Sequence, residues 1–387
     1  MKAFVVFWIV LFSFVTLGEA KTKKVPGMVV DHLPASSKTF IGSPSIVILP
    51  NGDYIASHDF FGPATSEHEQ ARTAIFNSAD KGKSWNKISE IKGQFWSNLF
   101  VHEDNLYIMG CWKHHGNMII RRSLDGGKSW TEPMDSSSGL LREGEFHTAP
   151  MPMVYWKGRL CRAFENAKSN TSEWGKRYSA GVISIPEEAD LLKASNWTTT
   201  NFLPYDSTYL KGKFGGWLEG NAVVAPDGSL VDFLRVATSE NGRDLAAIVQ
   251  ISEDGRTASF DPSTGFFDFD GGSRKFSIRY DHLSGRYWTI SNRLTKEYNS
   301  LPAGSVRNTL ILKSSLDLRN WEVTKVLLHA PDVKKHGFQY VDWQFDGKDI
   351  IFLSRTAFDD SFGGADNYHN ANYLTFHRIK NFRKLAK

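Results

Sequence analysis

Cysteine is nearly absent: Cys111 and Cys161 are the only two in 387 residues. Two cysteines cannot staple a chain of this length, so a hydrophobic core must carry the fold; two buried thiols are expected, with pairing left open. Long apolar runs are absent beyond the first twenty residues, which leaves no candidate for a membrane-spanning helix in the rest of the chain. No block of one charge occurs either. The 46 Lys and Arg are mixed with 42 Asp and Glu, for a formal net charge of +4. Without a basic stripe, nucleic-acid binding is not expected; the mild positive balance is compatible with an anionic substrate. Amphipathic helical periodicity is scarce, its best example being "PEEADLLKA" at 186–194. No His-x-x-x-His and no dense Asp/Asn loop appears, and His114 and His115, being adjacent, would face opposite sides of a strand. Neither a metal nor a cofactor is expected.

The opening segment, "MKAFVVFWIVLFSFVTLGEA", has one Lys, an apolar run over residues 3–17 and small or polar residues up to Ala20. This is the form of a secretory signal with cleavage after Ala20, and the expected location is secreted or periplasmic; a non-cleaved anchor is the alternative. The remaining residues, 21–387, contain no Pro/Gly/Ser-rich linker and read as one domain. Within them, short β-prone runs flank two-residue turns at Asn51-Gly52, Asp104-Asn105, Lys157-Gly158, Asp227-Gly228, Ser284-Gly285 and Asp346-Gly347. These hairpins recur roughly 50–70 residues apart, the length of a four-stranded propeller blade with long loops. One hairpin per blade makes six blades, although counting leaves five or seven open. The expected fold is all-β: a single propeller of four-stranded antiparallel blades.

A second repeat supports this. "SADKGKSW", ending at Trp85, returns as "SLDGGKSW", ending at Trp130, with weaker relatives at 252–255 and 315–321. In such a turn the Asp accepts backbone N–H bonds, Gly takes a conformation that a Cβ would obstruct, and Trp plugs the turn into the apolar space beside the strand. Asp80 and Asp125 are therefore structural. The motif resembles the Asp-box, or BNR, repeat of sialidase-like β-propellers. In such sialidases an Arg-Ile-Pro segment on the first blade supplies one of three arginines that clamp the substrate carboxylate. The matching stretch here reads Ile41-Gly42-Ser43-Pro44 and has no Arg, a departure that removes a charge-assisted contact.

Polar residues beside the hairpins are the remaining candidates. His147, His336, Tyr340 and Glu219 are proposed as catalytic; Arg162, Arg235, Arg355, Asn221, Trp217, Gln339 and His369 are proposed to bind substrate. Arg162 and Arg235 sit inside apolar strands, where a guanidinium needs a carboxylate or an anionic ligand opposite it. This inventory suits β-elimination on a uronate-containing oligo- or polysaccharide: His or Tyr removes the C5 proton while Arg, Asn or Gln neutralises the neighbouring carboxylate. In fold, export and polar inventory the chain is similar to propeller proteins that process uronate oligosaccharides such as ulvan, as lyases or dehydratases. The alternative is a sialidase-like exo-glycoside hydrolase, with Tyr340 or Tyr373 as nucleophile, Glu219 assisting and Asp359 as acid. A third reading is a non-catalytic glycan-binding propeller, for which 12 Trp and 13% aromatic residues would supply stacking surfaces.

Overall fold

The computed structural model describes residues 24–386; the expected signal segment lies outside them. Its regular structure is β-strand and short 3-10 turns, with no α-helix among the described residues, and so no helix long and apolar enough to cross a membrane. The stretch 186–194 is not helical. It leaves the strand Val182–Pro186 and runs through turns to a single 3-10 turn at Ala194–Asn196. Nine residues are too few to offset helix nucleation alone, and Leu191 and Leu192 are better placed in an apolar cluster with Phe100, Leu160 and Trp197.

The strands form six antiparallel sheets. Sheet I holds Phe40–Ile48, Tyr54–Phe61, Arg72–Ser78 and Asn86–Lys92. Sheet II holds Phe95–His102, Asn105–Cys111, Gly116–Ser123, Leu140–His147 and Glu165–Asn166. Sheet III is Val154–Trp156, Arg159–Ala163, Val182–Pro186 and Thr198–Thr199. Sheet IV is Phe214–Val224, Leu230–Thr238 and Leu245–Ile251, with Ala258–Ser259 and Phe266–Asp268 both pairing its third strand. Sheet V is Ser277–Asp281, Arg286–Asn292, Thr309–Ser315 and Trp321–His329. Sheet VI takes Gly337–Asp346, Asp349–Ala357 and Tyr373–Ile379 from the end of the chain and Met28–His32 from its beginning. Each hairpin read from the sequence joins the first and second strands of one sheet.

Between each sheet and the next lies an apolar cluster. Val47, Ile55 and Ile75 of sheet I meet Leu99 and Ile108 of sheet II, and equivalent clusters join II to III, III to IV, IV to V and V to VI. The circle closes where Ile46 and Phe76 of sheet I pack on Leu353 and Leu374 of sheet VI. The sheets therefore surround a common axis. Polar bridges reinforce it: Asp342 accepts from Ser45 Oγ at 2.8 Å and Ile46 N at 2.9 Å, and Leu99 N donates to the same Ser45 Oγ at 3.0 Å, linking sheets VI, I and II.

The Asp repeats sit between the third and fourth strands of sheets I, II and V, with a partial copy in sheet IV. Asp125 Oδ1 accepts Lys128 N at 3.0 Å and Ser129 N at 2.9 Å, and Trp130 Nε1 donates to Gly127 O at 3.1 Å. Asp80 makes the same bonds to Lys83 and Ser84, and Asp317 to Arg319 and Asn320. Both cysteines are buried free thiols.

The innermost strands share a further feature that positions the site. In sheets I, II, IV and VI, register slips by a bulge near the same end: between Ile41 and Pro44, Phe95 and Asn98, Leu218 and Asn221, and Gln339 and Asp342. The first bulged residues are Gly42, Trp96, Glu219 and Tyr340, and the last three have φ of 48°, 51° and 52°. Left-handed backbone is costly for residues with a Cβ and is retained where surrounding structure holds it, often at functional sites.

The Ser84 and Ser129 hydroxyls, with nearby N–H groups, hold Asp80 and Asp125 at about 2, below their ordinary 3.8. A depressed carboxylate adds stability above its unfolded value that is lost as pH falls through the folded one. We expect the Asp80→Asn, Asp125→Asn double variant to be less stable at neutral pH and to show a shallower further loss between about pH 4 and 2, measured by denaturant unfolding across pH.

Candidate functional site

At the bulged end of the ring lies a cavity of about 350 Å³. Its lining joins Gly42, Phe61 and Glu67 from sheet I and its outgoing loop, Trp96, His114 and His147 from sheet II, Glu219 from sheet IV, and Tyr340, Arg355 and His369 from sheet VI, with Trp174 from the loop after Glu165–Asn166. Aromatic walls over a charged floor are what a sugar-sized, partly polar ligand requires.

Glu219 and Tyr340 meet through one guanidinium. Arg235 Nη1 donates to Glu219 Oε2 at 2.8 Å and its Nε donates to Ser273 O at 3.0 Å, with the Tyr340 phenol the second group that favours its charge. Burial opposes the charge on Arg235, but Glu219 and Tyr340 outweigh it and raise its pKa above the ordinary value. Burial likewise works against ionised Glu219, yet Arg235, His147 and Arg307 hold its carboxyl below the usual range. Two more guanidinium groups face the Tyr340 ring, Arg355 at 4.9 Å and Arg307 at 5.4 Å. Arg307 is anchored by Gly304 O and by Gln339 Oε1. Arg355 donates to His369 O at 2.6 Å and lies 4.2 Å over the Phe61 ring; its Nε has no hydrogen-bond partner among the described residues. Burial and then Arg355 push His369 down to about 2, so its imidazole is neutral and adds no charge to the cluster.

On the opposite wall, His147 Nδ1 bonds Glu165 Oε2 at 3.1 Å, and no described residue bonds its Nε2. The other Glu165 oxygen accepts Gly220 N at 2.9 Å, so one buried carboxylate orients the imidazole and the bulge that carries Glu219. The His147 ring packs 4.2 Å from Trp96 and 4.5 Å from Tyr178, with Trp174 at 5.5 Å.

Asp59 lies beneath Gly42 and Trp96. It accepts Trp96 N at 2.9 Å through Oδ2, and its Oδ1 is 2.7 Å from Thr73 Oγ1, which is itself 2.8 Å from Gln94 O. A hydroxyl has one proton. If Asp59 is protonated, Asp59 donates to Thr73 and Thr73 to Gln94, and every group is satisfied. Burial pushes Asp59 up to about 8, in agreement with that network. At Gly42, an added Cβ would stand 2.5 Å from Asp59 O, so no side chain fits there.

Of the residues singled out in the sequence, His147, Glu219, Tyr340, Arg355 and His369 line this cavity, and Arg235 lies directly behind Glu219 and Tyr340. The others do not. Arg162 is fully buried and donates to Met109 O, Ala149 O and Thr148 Oγ1, the internal partners that its strand position required. Trp217 is core, packed on Phe214 and Phe260. Asn221 follows its bulge as Asp342 follows another, and ties sheet IV to sheet V through Phe276 O and Ile278 N. His336 stacks on Phe358 and bonds Asp359, and Gln339 holds Arg307 in place. The compact trio His336, Gln339 and Tyr340 is thus split by strand alternation and the bulge. Tyr373 stacks on His32, outside the cavity lining.

Sequence reasoning passed over Arg307, Asp59, Trp96, Trp174, Glu67 and His114. The pattern at three of the four bulges, a large residue followed by Ser, Gly or Val and then Asn or Asp, would have pointed to Trp96. His114 and His115 do not face opposite ways. They occupy a turn after the strand ending at Cys111, with rings 4.4 Å apart. Glu67, His68 and His114, distant in sequence from any metal-binding spacing, bring three possible ligand atoms within 4.8 Å of one another.

The sequence matches no family model. No curated protein matches it. Solved structures do. An α-L-arabinanase of Penicillium chrysogenum, complexed with arabinobiose, is 15% identical with a TM-score of 0.58, over 92% of this chain and 98% of that one. An intramolecular trans-sialidase from leech is 12% identical with a TM-score of 0.58, over 93% of this chain and 71% of its own. A sialidase of Trypanosoma rangeli, complexed with sialic acid, is 14% identical with a TM-score of 0.55, over 88% of this chain and 54% of its own, so the chain spans about half of that enzyme. This chain has the β-propeller fold of those glycosidases, the architecture that its repeats imply.

An acid whose folded pKa is raised costs stability as pH rises from its unfolded to its folded value. For Asp59 that window runs from the ordinary 3.8 to about 8. We expect Asp59→Asn, whose amide can donate to Thr73 and accept from Trp96, to fold and to lose less thermal stability between pH 5 and 8 than the wild type does.

Proposed function

We propose that the protein is an exported, retaining exo-glycoside hydrolase acting on a terminal anionic sugar, with the six sheets as six blades. The observation that carries this reading is Tyr340: a phenol on a left-handed bulge, beside the guanidinium that holds Glu219, and faced by Arg307 and Arg355. Among glycosidases, Tyr nucleophiles belong to sialidases, where a carboxylate nucleophile would be repelled by an anionic substrate. Likeness of fold to a sialidase and to an α-L-arabinanase supports hydrolysis over elimination.

In this reading the Tyr340 oxygen attacks the anomeric carbon and its proton passes to Glu219. The bond to the leaving oxygen breaks, and His147 Nε2, backed by Glu165, protonates that oxygen. Water then cleaves the tyrosyl-sugar bond with the proton steps reversed. Arg355, which lines the cavity, binds the substrate carboxylate, and Arg235 and Arg307 add positive charge from behind Tyr340. Gly42 stands where sialidases carry an arginine, and Arg355 supplies the missing charge from the neighbouring sheet. A cavity of about 350 Å³ suits a single terminal sugar, and Trp96 and Trp174 offer stacking surfaces to the departing sugar.

Uronate elimination retains one support, the open His147 Nε2 beside Glu165, which has the form of a base. Aryl sialosides, uronosides and arabinofuranosides distinguish the readings. Release of aglycone with free sugar is expected from an anionic glycoside. Elimination would instead give an ultraviolet-absorbing unsaturated product, and a purely binding propeller would give neither. Tyr340→Phe is expected to lower kcat by at least about 10³-fold, as loss of a nucleophile does. Arg355→Lys is expected to act mainly on KM for the anionic substrate. Unchanged turnover by Tyr340→Phe would remove the hydrolase reading.

A further inference from the structure

Glu67, His68 and His114 stand at the rim of the cavity and take no part in the proposed hydrolysis. Glu67 Oε1 lies 3.3 Å from His114 Nδ1 and 3.4 Å from His68 Nε2. Those two separations match the edge of a tetrahedron of N and O ligands around zinc, about 3.3–3.5 Å for bonds of about 2.0–2.2 Å. The two imidazoles stack at 4.5 Å with ligand nitrogens within 4.8 Å, and rotation of His68 would bring the third edge to the same length. The carboxylate is oriented for this by its other oxygen, Oε2, which accepts Gly62 N at 2.9 Å and Thr65 Oγ1 at 3.3 Å and leaves Oε1 to both imidazoles. His114 is fixed by its own N–H to Glu67 O at 2.8 Å and by rings on two sides, Trp96 at 4.4 Å and Phe95 at 5.6 Å. His68 is the movable ligand, with 72% of its side chain exposed.

We propose that Glu67, His68 and His114 form a divalent transition-metal site of the zinc class. Two imidazoles and one carboxylate are the donor set that such ions select, whereas calcium and magnesium require more oxygen. Three protein ligands leave a fourth position for water or a sugar hydroxyl. Because Glu67 and His114 also line the cavity, the ion borders the space where the substrate's outer part would lie. Binding would also clamp the loop carrying Glu67 to the turn carrying His114.

The test is metal binding by the full chain, which does not depend on the hydrolytic reading. Metal-stripped protein titrated with zinc chloride is expected to take up one equivalent with a rise in thermal midpoint, and cobalt(II) to give the intense visible bands of tetrahedral coordination. His68→Ala removes an exposed side chain and should fold normally; it is expected to weaken zinc binding at least about 10-fold, as is Glu67→Gln. His282→Ala, at an exposed histidine elsewhere, should bind as the wild type does. No saturable uptake by the wild type, or His68→Ala binding zinc as tightly as the wild type, would overturn the site.

Discussion

Ring closure is the constraint on which the rest depends. Met28–His32 pairs antiparallel with Tyr373–Ile379, so the two ends of the chain share sheet VI. Asp31 and His58 bond at 2.8 Å, and His32 and Asp360 at 2.9 Å, carrying that join to sheet I and to the loop that precedes His369. Each sheet buries both faces against neighbours, and without the join sheets I and VI would expose the apolar surfaces they now bury together. Closing the circle also gives sheets II, IV and VI a common axis, toward which Trp96, Glu219 and Tyr340 converge.

At that axis the bulges divide labour between adjacent residues. The first residue at each is released from the ladder and lines the cavity, while Asn221 and Asp342, two positions on, return to the sheet and bridge it to the next. Function and cohesion are thus written side by side. The charges follow the same economy. Arg235, Arg307 and Arg355 are buried around one phenol, and Glu219 is the carboxylate directly paired with any of them by an ion bridge. Such a cluster is expensive unless an anionic ligand completes it.

How much was legible beforehand differs by feature. The hairpin turns and the Asp repeats are local: Asn51-Gly52, or Asp125 with Ser129 and Trp130, can be read within a few residues because the hydrogen bonds close within those residues. The absence of α-helix was also legible apart from 186–194, where tertiary burial of Leu191 and Leu192 overrode a short helical pattern. Candidate site residues were harder. Tyr340, Glu219 and Arg235 could be named, but so could Trp217 and Asn221, because a polar or aromatic residue near a hairpin looks the same whether it faces the axis or the neighbouring sheet.

The sequence by itself determined the repeated sheet, its turns and its Asp staples, since each rests on contacts among near neighbours in the chain. Only the tertiary structure decided which side chains meet. Arg307 and Asp59 acquire their roles from partners on other sheets, and a bulge of one extra residue is enough to turn Tyr340 inward while His336, four positions before it, stacks away on Phe358. That direction is set by register and closure, which a local pattern alone does not fix.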